Sequence, residues 1–137
     1  MSSKENPLEE GSELCLDFEK IQKVADCRQG LVPVAVQDTE TKEVLILAYT
    51  NQEAFDYTTR NGVAAFWSTS RNELWVKGAT SGDMLDLVEI RVNCEQNSLL
   101  YLVRPRGRGA CHTRDESGLP RRTCYYRKLA NGKLSHL

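Results

Sequence analysis

No stretch of this 137-residue chain is apolar for long enough to cross a bilayer. Nor does it open with the basic-then-apolar pattern of a secretory leader. Met1 to Glu13 is polar and acidic, so the expected location is the cytoplasm, with no membrane partner. Internal repeats, low-complexity tracts and linkers are also missing, which leaves a length that suits one domain around one core. Residues 1–13 read as a loose polar extension, and residues 14–137 as the domain. Neither sign of charge is in large excess, the formal net charge being −1. The cysteines number five, an odd set that cannot pair completely, and a reducing compartment disfavours a disulfide framework. Metal-binding or catalytic thiols become the question.

The near-neutral charge hides an asymmetry. Glu5, Glu9, Glu10, Glu13, Asp17, Glu19 and Asp26 make the start acidic. Arg104, Arg106, Arg108, Arg114, Arg121, Arg122 and Arg127 make the end basic. Such a face is either merely solvated or fitted to a phosphate-bearing ligand, whose oxygens match guanidinium forks.

Patterning points to an α+β fold, a single mostly-β domain with one or two helices. Leu14 to Ala25 reads as a short helix. "LVPVAVQD" alternates Val32, Val34 and Val36 as a strand, and the apolar run "VLILAYT" predicts a buried central strand. A helix follows, with Asn51 as its cap, Ala54 and Tyr57 on one face, and Asn61-Gly62 as its exit. "VAAFWSTS" with "ELWVKG", and "LDLVEIRVNC" with "SLLYLVRP", predict two strand pairs.

In the third of these segments, alternation sends Val88, Ile90, Val92 and Cys94 to one face and Glu89, Arg91, Asn93 and Glu95 to the other. Cys94 alone fits a core cysteine. Cys111 and Cys124 are too far apart for a zinc knuckle. Three thiols could nonetheless form a Cys₃ site with an open position, where zinc would activate a water and His112 would move protons. From the residues alone both readings stand.

Seven segments tip the balance: "GLVPVAVQD", "EVLILAYTNQEA", "WSTSR", "LWVKGATSG", "VEIRVNC", "ACHT" and "RRTCYYR", in that order from Gly30 to Arg127. Together they resemble the phosphoribosyl-AMP cyclohydrolase family of histidine biosynthesis. The resemblance implies an intertwined homodimer that hydrolyses the N1–C6 bond of the adenine ring in N1-(phosphoribosyl)-AMP, a small phosphorylated purine nucleotide. It implies zinc on Cys94, Cys111 and Cys124, with Cys94 offered to the partner chain and His112 as proton shuttle. Arg71, Lys77, Thr80, Ser81 and Gly82 match segments that line the family's substrate pocket.

The sequence departs from that family in three places. Asn93, Glu95 and Asn97 stand where the family has three magnesium-binding aspartates, so Mg²⁺ is expected to bind weakly or not at all. Asp83 replaces a histidine, and "RDESGLP" lengthens the segment between two zinc cysteines. These departures keep a rival open, a diverged paralogue acting on another N-substituted purine nucleotide. A non-catalytic nucleotide- or RNA-binding protein is a further rival. Nucleic acid is disfavoured because only Tyr125 and Tyr126 interleave with the basic residues.

Overall fold

The computed structural model describes residues 6–137. The fold is α+β and mostly β, with three helices among the described residues. The extra helix is α1, a single turn at Pro7–Glu10 in the extension; α2 spans Lys20–Asp26 and α3 spans Gln52–Asn61. None is long and apolar enough to cross a membrane.

Four strands form the main sheet: β1 (Val32–Asp38), β2 (Val44–Thr50), β5 (Leu85–Val92) and β6 (Leu99–Pro105). Their order is β2-β1-β6-β5, with β1 and β6 parallel in the centre and an antiparallel partner on each side. β3 (Ala65–Ser68) and β4 (Glu73–Val76) form a separate hairpin. A last hairpin, β7 (Arg127–Ala130) and β8 (Lys133–His136), turns at Asn131-Gly132, both with positive φ. That dipeptide is a strong hairpin signal left unassigned from the sequence.

One face of the sheet makes the core. Val34, Val36, Phe66, Leu85, Tyr101 and Val103 are fully buried there, and Phe66 stacks on Tyr101. α3 closes that side. Asn51 Oδ1 accepts from Ala54 N (2.9 Å) and Gly62 takes the left-handed exit, as the sequence predicts. The buried helical pair is Ala54 and Thr58, one turn apart, while Tyr57 is half-buried. Thr58 fits the core because its hydroxyl donates to Ala54 O and accepts from Ala65 N, leaving no polar atom unpaired.

Two strand expectations change. β2 is an edge strand, not a central one. Its pairing with β1 skips Leu45, a bulge that buries Leu45 and Ile46 side by side and leaves Val44 and Leu47 half-exposed. An apolar run of both parities therefore came from a bulge rather than from burial on two faces. Val88 is likewise the extra residue where β5 slips against β6, and it is 45% exposed. Beyond it, Ile90 packs on the core and Val92 lies opposite Leu99 on the same face. Cys94, past the strand end, is exposed, so it is no core cysteine.

Candidate active site

The two C-terminal cysteines meet through a short ladder. Ala110 N donates to Arg122 O (3.0 Å), Cys111 N to Arg121 O (3.1 Å) and Arg121 N to Thr113 O (3.1 Å). The strands run so close at Gly109 that any Cβ there would press into the carbonyls of Arg121 and Pro120. Beyond the Arg114–Pro120 bridge the added residues fold on themselves. Asp115 Oδ1 accepts from Ser117 N (2.9 Å) and Leu119 N (3.0 Å), and Gly118 takes a positive φ. The lengthened segment is a self-contained turn at the ladder's tip.

Cys124 is placed by the β2 bulge. Its N–H donates to Leu45 O (2.8 Å), and Thr123 Oγ1 donates to Val44 O (2.7 Å). Cys111 is buried and Cys124 exposed, and Cys111 Sγ lies 3.0 Å from Thr113 Oγ1. Cys111 is pulled down to about 5, chiefly by the hydrogen bond from the Cys124 thiol and further by Thr113, against the opposing effect of burial. Cys124 is pushed up as the partner that keeps the proton. The direction at Cys111 favours the nucleophilic, metal-binding form of its sulfur.

Lys77 faces this pair. It is 6% exposed, and burial pushes its ammonium below the ordinary lysine range, opposed by the nearby charges of Asp83, Cys124 and Cys111. Thr80, Ser81 and Gly82 form the exposed turn that follows it, where Gly82 N donates to Gly78 O (2.8 Å) and Ser81 Oγ accepts from Asp83 N (3.2 Å). Arg71 does not join them. It lies at the opposite end of β4, exposed and paired with Glu73 (2.9 Å).

Within one chain Cys94 stands apart from Cys111 and Cys124. It follows β5 at the turn into β6, whereas Cys111 follows the far end of β6. Seven residues of strand lie between, roughly 20 Å at the rise of an extended chain. Accordingly, no cluster of three metal-ligating side chains forms among the described residues of one chain. Two thiols suit a soft or borderline ion such as zinc, but a third donor must come from elsewhere.

The turn holding Cys94 is closed by its own side chains. Asn93 Oδ1 accepts from Asn97 N and Ser98 N (both 2.9 Å), and Asn93 Nδ2 donates to Asn97 Oδ1 (2.6 Å). Asn93 Oδ1 already accepts two bonds, and the Asn93 amide NH₂ is turned onto Asn97 Oδ1. Glu95 is exposed and the only carboxylate of the three positions. These residues do not fit a magnesium site.

His112 is where the acidic arm meets the ladder. Its Nε2 lies 2.6 Å from Glu9 Oε2. Arg121 holds Glu10 through both guanidinium nitrogens (2.7 and 2.8 Å), with both side chains mostly buried. Tyr126 Oη donates to Glu9 O (2.6 Å), and Arg127 donates to Leu8 O and Gly11 O. The extension, expected to be loose, is docked over residues 8–11; nothing in its composition marks it as part of the site.

The Arg121 fork holds the Glu10 carboxyl below the usual carboxylate range. A depressed folded value means the pair stabilises the docked arm above the unfolded pKa and loses that effect as pH falls through the folded one. Glu10→Gln is therefore expected to cost about 1 kcal/mol at pH 7. The cost should vanish well below pH 4. Denaturant melts of both proteins across pH check this.

What these elements define is a small α+β domain with a pair of cysteines near a buried lysine. Residues 46–126 match the family model for phosphoribosyl-AMP cyclohydrolase. A phosphoribosyl-AMP cyclohydrolase of Archaeoglobus fulgidus is 50% identical over 101 residues, 74% of this chain and 87% of the relative. One from Caulobacter vibrioides is 49% identical over 106 residues, covering 77% and 72% of the two chains. One from Desulfatibacillum aliphaticivorans is 42% identical over 120 residues, covering 88% and 86%. The chain belongs to the phosphoribosyl-AMP cyclohydrolase family.

Proposed function

We propose that this chain hydrolyses the N1–C6 bond of the adenine ring in N1-(phosphoribosyl)-AMP, a step of histidine biosynthesis, in a reducing cytoplasm. The observation that carries the reading is that the backbone ladder and the β2 bulge bring Cys111 and Cys124 together, near the buried Lys77. We take this pair as two zinc ligands and Cys94 of a second copy as the third. Cys94 is exposed and a sheet's length from its own chain's pair, so a second copy is the economical source. Val92 and Leu47, each more than half exposed, offer apolar surface to such a dimer.

Bound zinc would supply the Lewis acidity that makes a water nucleophilic at neutral pH. Ribosylation at N1 draws electrons from the ring and leaves C6 electrophilic. Water adds at C6, the C6–N1 bond breaks, and C6 becomes a carboxamide carbon. His112 takes the water's proton and returns it to N1, the leaving nitrogen. Lys77 offsets the thiolate charge and the 80–82 turn offers hydroxyls to a phosphate. No role is assigned to magnesium at Asn93, Glu95 and Asn97.

The nucleic-acid rival is weakened by pairing. Arg104, Arg106, Arg121 and Arg122 each hold a carboxylate, on Glu40, Asp86, Glu10 and Glu43, which removes four cations from any phosphate-binding patch on the basic third. The paralogue rival draws on the closed Asn93–Asn97 turn and is tested in the Discussion.

Metal analysis and a phosphoribosyl-AMP assay test the reading directly. Zinc-loaded protein should hold about one zinc per chain. Cys111→Ser and Cys124→Ser should lose both metal and turnover, while Cys15→Ser and Cys27→Ser keep both. Protein purified without chelator yet free of zinc would refute it.

A further inference from the structure

The docked arm makes a contact from outside residues 46–126, the part that matches the family model. We propose that Glu9 is a positioning residue for His112. This rests on the reading of His112 as proton carrier given above.

His112 alone is poorly constrained: its side chain is 78% exposed, and its one side-chain partner among the described residues is Glu9. Glu9 is far better held. Its carbonyl takes the Tyr126 hydroxyl, its neighbours Leu8 and Gly11 are gripped by Arg127, and Glu10 is forked by Arg121. Tyr126 is itself stacked beneath the Arg121 and Arg127 guanidiniums, at 4.2 and 5.1 Å. The carboxylate is thus presented from a fixed backbone, and only 25% of its side chain is exposed.

A carboxylate can only accept. Its contact with Nε2 therefore fixes the tautomer that carries the proton there and leaves Nδ1 as the nitrogen able to take a proton from water. It also limits rotation of a ring that nothing else holds. Carboxylates behind functional histidines act in this way, and losing one costs roughly 10- to 100-fold.

The test uses full-length zinc-loaded protein as wild type, Glu9→Ala, Glu9→Gln, His112→Ala and the Glu9→Ala/His112→Ala double variant. Glu9→Ala should lower kcat by about tenfold with little change in KM or zinc content. Glu9→Gln keeps an acceptor of the same length and should recover most of the loss. In the double variant Glu9→Ala should add nothing to the His112→Ala defect, since the pair acts as a unit. Multiplying losses would overturn the proposal, as would a Glu9→Ala effect confined to KM or to zinc retention.

Ring ¹⁵N spectra separate this inference from the functional reading. The chain has only two histidines, and His112→Ala assigns them. The wild type should show one His112 tautomer, protonated at Nε2, and Glu9→Ala a mixture. If the wild type fails to turn over phosphoribosyl-AMP, the functional reading falls and the spectra alone decide the contact. An unchanged ring spectrum in Glu9→Ala would overturn it.

Discussion

Mixing chains that carry Cys94→Ser with chains that carry Cys124→Ser is expected to restore about a quarter of wild-type activity, from two variants that are each inactive. The figure follows from geometry. Each site would draw Cys111 and Cys124 from one chain and Cys94 from the other, because a strand's length keeps Cys94 from its own chain's pair. Random exchange makes half the dimers mixed. In each mixed dimer one site has all three thiols, and the other lacks two. Co-purification of an untagged Cys124→Ser chain through a tag on the Cys94→Ser chain confirms that mixed dimers form, and the assay reads the recovery. If mixed dimers form and activity stays at zero, the ligands do not cross the interface. If zinc is shared in this way, chelation should also loosen the dimer, since the bonds that would span it are lost.

Asn93→Asp with Asn97→Asp is expected to tighten magnesium binding by at least about tenfold, read by calorimetric titration. The double change acts on the turn in two opposed ways. The carboxylate introduced at position 93 would keep an oxygen to accept from the backbone N–H groups of residues 97 and 98. The present bond from Asn93 Nδ2 to Asn97 Oδ1, however, would become a meeting of two carboxylates. Without a cation the variant should melt below the wild type; with magnesium it should regain the difference. A rise in phosphoribosyl-AMP turnover would mark a cyclohydrolase weakened at this turn. Tighter magnesium binding with no gain in turnover would favour the paralogue reading. Unchanged affinity would show that these positions do not converge on one ion.

How far the sequence reveals this molecule depends on the range of the interactions. β1 and α3 are legible because their signals are local: alternation at Val32, Val34 and Val36, a cap at Asn51, an exit at Gly62. β2 is misread as central because periodicity cannot tell a bulge from two-sided burial, and Leu45 and Ile46 are buried side by side. The Asn131-Gly132 turn is legible, though the sequence reading leaves it unassigned. Of the site, the spacing of Cys111 and Cys124 carries little by itself; the backbone ladder joins them, and only the family pattern points to it. Glu9 is beyond reach. A polar arm shows no periodicity, and its docking rests on Arg121, Tyr126 and Arg127, more than a hundred residues away.

The bulge at Leu45 and the turn at Arg114–Pro120 divide the chain's tolerance for changes of length. Residues can be added or removed beyond the Arg114–Pro120 bridge without moving the ladder, because that turn's hydrogen bonds are its own. Deleting Leu45 is the reverse case. It would straighten β2 and withdraw the carbonyl that anchors Cys124. Relatives of this chain can therefore drift in length at one spot beside Cys111 and Cys124, while a single codon lost from an edge strand would disturb core and site together.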